Sequence, residues 1–314
     1  MAEDHRAGVT KALGIGLALT LAFAAFEVAA GVWSGSLALV SDAGHMLVDS
    51  AGLLLALAAA AVARKPADLR RSFGYARAEV LVVPVHVVLM LGIAGYIVWE
   101  AFARAGEDLE ISAGPVLLVG IAGLGVNAFV FRLLHGHSEH NLNARGAMFE
   151  VAADALGSVG VIVSALVILA TGWMTVDIVV SLVIAALVLP RAWLLLRQAI
   201  LILLEGAPAE VELAEIERDA RAIPGVLGLH DLHIWSLAPS FVSLSAHVEV
   251  ESMTESERAI GLLSVMLRER HGISHVTLQP ETQELHEAVQ CCDYPDMAAL
   301  DHLHQPRIET PAGR

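Results

Sequence analysis

Six apolar stretches, each long enough to cross a lipid bilayer, constrain this chain more than any other feature. A transmembrane helix needs about 20 consecutive, mostly apolar residues. The six stretches lie near residues 12–33, 38–63, 79–103, 113–134, 146–171 and 174–203. We interpret the first as a retained helix and not as a signal peptide, because it contains Glu27, has a weakly basic start and precedes five further spans. The sequence therefore predicts an α-helical membrane protein with six transmembrane helices.

The composition agrees with a bilayer environment and argues against nucleic acid as a partner. Hydrophobic residues make up 56% of the chain and charged residues only 17%, against roughly 25% charged residues in a typical soluble domain. The formal net charge of −15 would repel nucleic acid. The two cysteines, Cys291 and Cys292, are adjacent, which excludes the disulfide framework of a secreted module and favours a reducing compartment around this segment.

Basic residues are concentrated on one side of the predicted spans. They precede the first span, fill the loop between the second and third, and flank the loop between the fourth and fifth: Lys11, Arg64, Lys65, Arg70, Arg71, Arg77, Arg132 and Arg145. On the opposite side only Arg104 is basic. Since basic loops stay in the cytoplasm, we expect both termini to be cytoplasmic, with residues 1–11 forming a short cytosolic segment.

The pattern changes after Pro208 to that of a small soluble domain. Helical and alternating patterns follow in the order αββαβ, at residues 209–222, 228–236, 241–250, 254–270 and 273–279. This order predicts a ferredoxin-like α+β cytosolic domain with helices on one face of a sheet. We place the membrane domain at 12–207, the cytosolic domain at 208–283 and a polar, flexible tail at 284–314.

Two pairs of potential metal ligands lie inside predicted spans. His45 and Asp49 are four residues apart in the second span, and Glu150 and Asp154 have the same spacing in the fifth. Residues i and i+4 share one face of a helix, and ionisable groups at membrane depth are costly enough to be functional candidates. Facing each other, the pairs would offer four ligands, the number that a tetrahedral zinc-like ion takes. The alternative is two unrelated polar contacts between helices.

Seven motifs, in this order along the chain, carry a specific family resemblance. They are SGSLAL at 34–39, SDAGHMLVD at 41–49, FGYARAEV at 73–80, NARGA at 143–147, LGSVGV at 156–161, HDLHIW at 230–235 and HVTLQ at 275–279. With them the chain resembles the cation diffusion facilitator family, the metal/proton antiporters that export zinc and related ions, and most of all its bacterial zinc, cobalt and cadmium branch. The resemblance implies a homodimer in the bacterial cytoplasmic membrane.

The resemblance also implies the transport site and the counter-ion. By position the site consists of His45, Asp49, Glu150 and Asp154, with protons exchanged for the metal. Many zinc-transporting relatives have histidine or aspartate at the place of Glu150, so the order of preference among Zn²⁺, Co²⁺ and Cd²⁺ stays open, and Mn²⁺ or Fe²⁺ fits three carboxylates as well. The imidazole of His45 favours a borderline ion over magnesium or calcium.

Two further expectations follow from the same resemblance. A regulatory metal site at the dimer interface of the cytosolic domain would use His230, His247, His275 and Glu281. A basic residue at the start of the third span and an acidic residue after the sixth would lock the two parts of the protein together, here Arg77 and Glu205; a solvated pair is the alternative.

Several polar residues allow more than one interpretation. The tract 135–140 (HGHSEH) either binds metal or is a solvated loop, and the two cysteines either bind metal or have no role as ligands. Asp42 either helps ions to enter or caps a helix. Glu27 and Asn127 either contact the metal ligands or form hydrogen bonds between helices. For His86 we favour packing against a neighbouring helix. A loop site at Asp68 is not expected, because Arg71 and Tyr75 replace its ligating histidines.

Two other classes of function remain alternatives to transport. One is a metal sensor or binding protein with an inert membrane part. The other is an intramembrane metallo-hydrolase, which is disfavoured because the chain has no His-Glu-x-x-His or Gly-x-Ser-x-Gly motif. We therefore expect a transporter and not an enzyme.

Overall fold

The computed structural model describes the backbone of residues 2–138, 142–208, 210–239 and 241–285, and the side chains of 12–135, 146–208, 210–239 and 241–285. The first part consists of long helices: α1 (Ala2–Ser34), α2 (Leu37–Ala63), α3 (Ala78–Arg104), α4 (Ala113–Ser138), α5 (Leu142–Thr171) and α6 (Thr175–Leu203). All six are long and apolar enough to cross a membrane, which confirms the six-span prediction. Helix α1 begins at Ala2, whereas the predicted span begins at residue 12, because the helix also includes the polar residues before the apolar stretch.

A carboxylate from α6 holds the start of α2. The Ser36 side chain accepts a hydrogen bond from the backbone N–H of Leu39 and donates one to Asp177 Oδ1 at 2.6 Å. The other carboxylate oxygen, Asp177 Oδ2, accepts the N–H groups of Leu37 at 2.6 Å and Ala38 at 3.2 Å. These donors are unpaired at a helix start and favour negative charge, so Asp177 fixes the ends of α2 and α6 against each other.

Small residues let the helices approach closely. A Cβ atom at Gly44 of α2 would lie 2.7 Å from the Ile93 side chain of α3, and one at Gly123 of α4 would lie 2.9 Å from Phe23 of α1. Glycine at such contacts is typical of helix packing in membranes. Large apolar side chains such as Trp99 and Leu187 are exposed on the outside of the bundle, as expected of a surface that faces lipid.

The second part is a compact α+β unit that begins after Ile200. Its elements are α7 (Leu213–Arg221), β1 (Val226–Ala238), β2 (Phe241–Val250), α8 (Ser256–His271) and β3 (His275–Glu281). The sheet order is β1-β2-β3, with β1 antiparallel and β3 parallel to β2. Ile216 of α7, Leu244 of β2 and Leu263 of α8 are buried in its core. The predicted order αββαβ is therefore confirmed.

Candidate metal sites

Three potential ligands meet inside the helical bundle. His45, Asp49 and Asp154 each present one ligand atom within 4.8 Å of the other two. His45 Nε2 lies 3.6 Å from Asp49 Oδ2 and 3.6 Å from Asp154 Oδ1. A tetrahedral ion with bonds of about 2.0–2.1 Å separates its ligand atoms by about 3.3 Å, so a small inward movement would fit one. The structure thus brings together three of the four residues that the sequence predicted.

The fourth predicted ligand, Glu150, is held by an arginine. Arg191 of α6 donates through Nη2 to Glu150 Oε1 and through Nη1 to Asp49 Oδ2, the latter at 2.6 Å. The Arg191 side chain is 28% exposed and that of Asp49 6%. From the sequence, Arg191 marks only the end of the sixth span. An arginine inside an apolar helix was nevertheless a signal, because such residues usually face a partner in the bundle interior.

Helix α3 adds a second imidazole beside the site. His86 Nε2 lies 3.8 Å from Asp49 Oδ1, and both atoms are buried without a hydrogen-bond partner among the described residues. A Cβ atom at Gly52 would come within 2.4 Å of the His86 ring, so the glycine makes room for it. His86 thus packs against α2, as the packing interpretation has it, and its Nε2 atom lies beside Asp49.

A second polar group lies one helical turn from the site. Glu27, Asp42 and Ser158 are fully buried and Asn127 nearly so. Ser158 Oγ donates to Asp42 Oδ2 at 3.1 Å, and Asn127 Nδ2 donates to Ser158 Oγ at 3.3 Å. The helix-capping interpretation of Asp42 is wrong, since Ser36 caps α2 and Asp42 lies inside the helix.

A separate cluster forms on the sheet of the α+β unit. His230, His247 and Glu281 each offer a ligand atom within 4.8 Å of the others. His247 Nδ1 lies 3.2 Å from Glu281 Oε2, His230 Nε2 contacts the other Glu281 oxygen, and the two imidazole rings are 5.1 Å apart. The pairing of His230 with His247 across β1 and β2 causes this proximity. Asp231 Oδ2 is 3.9 Å from His247.

Within the single chain, the structure does not bring His275 to this cluster, and its place in the predicted ligand set stays a prediction. His275 begins β3 and pairs with Ser243, whereas Glu281 ends the strand. Six residues of strand separate them by about 20 Å. The His275 ring packs instead at 5.7 Å from Phe241.

The remaining predicted positions have mixed outcomes. Arg77 lies just before α3 and Glu205 just after α6, in different units of the chain, and their interlock stays a prediction. Asp68 binds Arg71 at 3.1 Å, and the backbone N–H groups of Arg70 and Arg71 lower its pKa. In the histidine tract, only the side chain of His135 is described; the rest of the tract and residues 286–314 of the predicted tail, including both cysteines, lie outside the described side chains.

Two sequence families match almost the whole chain. Residues 13–204 match a family described as the cation efflux transmembrane domain. Residues 208–283 match a family described as the cation efflux protein, cytoplasmic domain. The two matches follow each other in the order of the helical bundle and the α+β unit.

Curated relatives are similar over nearly their full length. The metal cation efflux system protein CzcD of Cupriavidus metallidurans is 42% identical over 91% of both chains. The zinc transporter ZitB of Escherichia coli is 38% identical over 90% of both. The cadmium, cobalt and zinc/H(+)-K(+) antiporter of Bacillus subtilis is 35% identical over 97% of this chain and 100% of its own.

Proposed function

The chain belongs to the cation efflux family, also called the cation diffusion facilitators, and on that premise we propose that it exports Zn²⁺, and with it Co²⁺ and Cd²⁺, in exchange for protons. The names of its relatives state metal cation efflux for CzcD, zinc transport for ZitB, and antiport of cadmium, cobalt and zinc for the B. subtilis protein. The protein is accordingly an integral membrane transporter and not an enzyme. We infer the bacterial cytoplasmic membrane as its location, with both termini in the cytoplasm.

The observation that carries this proposal is the buried group of His45, Asp49 and Asp154. Imidazole and carboxylate together are typical zinc ligands, and the set also suits cobalt. Oδ1 of each aspartate is buried without a hydrogen-bond partner among the described residues. Such atoms are costly unless something completes them, and a divalent cation would.

Charge supports a divalent substrate. Asp49, Glu150 and Asp154 contribute three negative charges when ionised, and the bound Arg191 reduces the formal charge to −2. A divalent cation that takes the place of Arg191 brings the three carboxylates to a formal charge of −1. We propose that Glu150 becomes the fourth ligand when Arg191 withdraws, and that Arg191 returns when the metal leaves.

Proton exchange follows from competition for the same ligands. Metals bind deprotonated imidazole and carboxylate, so protonation from the acidic side ejects the metal and proton release to the cytoplasm prepares the site again. The name of the B. subtilis relative includes H(+) exchange, which supports this step. We propose that helix rocking exposes the site to each side in turn, as in other transporters.

The cytosolic unit is proposed to dimerise and to bind a regulatory metal. His230, His247 and Glu281 form its candidate site, and a cation there would offset acidic charge between two copies. Arg77 and Glu205 are proposed to interlock near the dimer axis. Because an exposed pair is worth only about 0–1 kcal/mol, a double-mutant cycle on transport with Arg77→Ala and Glu205→Ala decides this point, and additivity would exclude the interlock.

A metal series in proteoliposomes tests the proposed function against its alternatives. The purified full chain should accumulate Zn²⁺, Co²⁺ and Cd²⁺ in vesicles whose lumen is acidic, and Mg²⁺ should stay outside. A sensor with an inert membrane part would bind zinc without accumulating it. No uptake of any of the three metals by folded protein would contradict the proposal.

A further inference from the structure

The group beside the metal site holds two carboxyl groups and too few hydrogen-bond donors for them. Glu27 of α1 and Asp42 of α2 are both 0% exposed, and their carboxyl groups are near enough to interact electrostatically. The hydroxyl of Ser158 donates to Asp42 Oδ2. Among the described residues, no N–H or O–H group donates to Asp42 Oδ1 or to either oxygen of Glu27.

Two ionised carboxylates cannot form a hydrogen bond with each other, because both are acceptors only. One of them must be protonated for the contact between Glu27 and Asp42 to be favourable. Two negative charges in the apolar interior with a single hydroxyl donor would also be very costly. The burial of both acids and the shortage of donors around them therefore point to one shared proton.

Asn127 gives a second, independent indication of a missing donor. This residue is 1% exposed, and its Nδ2 group donates to Ser158. Its Oδ1 atom is buried and accepts no hydrogen bond from the described residues. All the unsatisfied atoms of the group are thus acceptors, and each of them lacks a hydrogen-bond donor.

The packing favours a proton over a metal ion as the ligand. A Cβ atom at Gly157 would lie 2.0 Å from Asp42 Oδ1, so the Asp42 carboxyl group is pressed against the backbone of α5. A hard cation such as Ca²⁺ or Mg²⁺ takes six or more oxygen ligands at about 2.0–2.6 Å, whereas a proton needs no additional volume. Helix α4 contributes only the uncharged Asn127 to this group, so it adds no further carboxylate for a cation.

The surrounding charges connect this group to the metal site. Glu27 is the only charged residue in the described side chains of α1, and Asp42 lies one turn before His45 on α2. Asp154 of α5 is close enough to interact electrostatically with both carboxyl groups. On α2, His45 and Asp49 are the other titratable groups, beyond Asp42 toward the metal site.

We propose that Glu27 and Asp42 form a proton-binding site, which holds one shared proton and exchanges it during metal transport. The role in transport rests on the proposed function; the shared proton does not. A proton from the outer side joins the carboxylate pair when the metal site is empty. When a divalent cation binds at His45, Asp49 and Asp154, its charge expels that proton, which leaves to water on the cytoplasmic side.

Zinc titration by calorimetry tests the exchange in the detergent-solubilised full chain, with His247→Ala as background to remove the cytosolic cluster. Comparison of buffers with different ionisation enthalpies gives the number of protons released per zinc. Glu27→Gln and Asp42→Asn should each lower this number by about one, since the pair shares a single proton. Asp177→Asn is the control: its carboxylate is buried but satisfied by two N–H groups and a hydroxyl, and the number should not change.

Infrared spectroscopy of the zinc-free protein tests the shared proton directly. The band of a protonated carboxyl group should be present, should disappear in Glu27→Gln and Asp42→Asn, and should shift in Ser158→Ala, which removes the hydroxyl and keeps both acids. No band change in folded Ser158→Ala, or an unchanged proton number in the folded acid variants, would overturn the proposal. So would a loss of one bound metal per chain in those variants, because the pocket would then be a cation site. If the wild type released no protons on binding zinc while the band behaved as expected, the exchange would fail and the proton site would stand.

Discussion

Replacing Arg191 by glutamine should make the transport site bind zinc more tightly. The Arg191 guanidinium bonds Asp49 and Glu150, and both must be freed before they can serve a metal. A hydrogen bond to a charged group is worth about 1.5–3 kcal/mol, and partial exposure of Arg191 places the value near the lower end. A gain of about 1.4 kcal/mol corresponds to roughly tenfold in affinity.

The assay is calorimetric titration of zinc into the full chain in detergent, with His247→Ala as background in every sample. Arg197→Gln is the matched control, because this exposed arginine lies on the same helix six residues further along. Arg191→Lys should give an intermediate affinity, since an ammonium keeps the charge but not the two-pronged geometry. Equal or weaker zinc affinity in folded Arg191→Gln would refute the idea that Arg191 competes with the metal.

Three further predictions concern the two metal sites. Asp154→Asn should reduce zinc uptake by proteoliposomes at least about tenfold, because it removes a buried charged ligand, and near-normal flux in inserted protein would exclude this residue as a ligand. Glu150→His should shift the uptake ratio toward Zn²⁺ over Mn²⁺, as imidazole is softer than carboxylate; an unchanged ratio would mean that Glu150 never contacts the ion. Residues 208–283 should bind zinc more weakly as the pH falls, because metals bind deprotonated ligands. The His247→Ala variant of this domain should bind zinc about tenfold more weakly, or worse, at neutral pH. Equal zinc affinity of the wild-type and His247→Ala domains would mean that the metal binds elsewhere.

The candidate transport site could be predicted from sequence only to the extent that helix periodicity places residues on one face of a helix. His45 and Asp49 share a face by spacing alone, and the structure shows them facing Asp154. Spacing within one helix does not reveal which face of another helix turns toward it. For this reason Arg191 and His86, single polar residues on α6 and α3, were not recognised as neighbours of Asp49.

In the soluble unit, the strands were predictable but their register was not. The alternating patterns identified β1, β2 and β3, yet the contact between His230, His247 and Glu281 depends on how the strands pair. The resemblance made His275 a candidate together with Glu281, and strand register places it at the opposite end of β3. A bulge in β1 between His230 and His233, with Asp231 at φ 48°, further offsets the ligands from simple alternation.

Simultaneous measurement of zinc and proton flux in the same proteoliposomes tests the central claim most directly. With an acidic vesicle lumen and a lumenal dye for each ion, wild-type protein should move Zn²⁺ inward and protons outward, and dissipating the pH gradient should stop net zinc accumulation. Asp49→Asn should abolish both fluxes, because Asp49 lies among the proposed ligands and also binds Arg191. Zinc accumulation that does not depend on the pH gradient, or that persists in Asp49→Asn, would contradict the account.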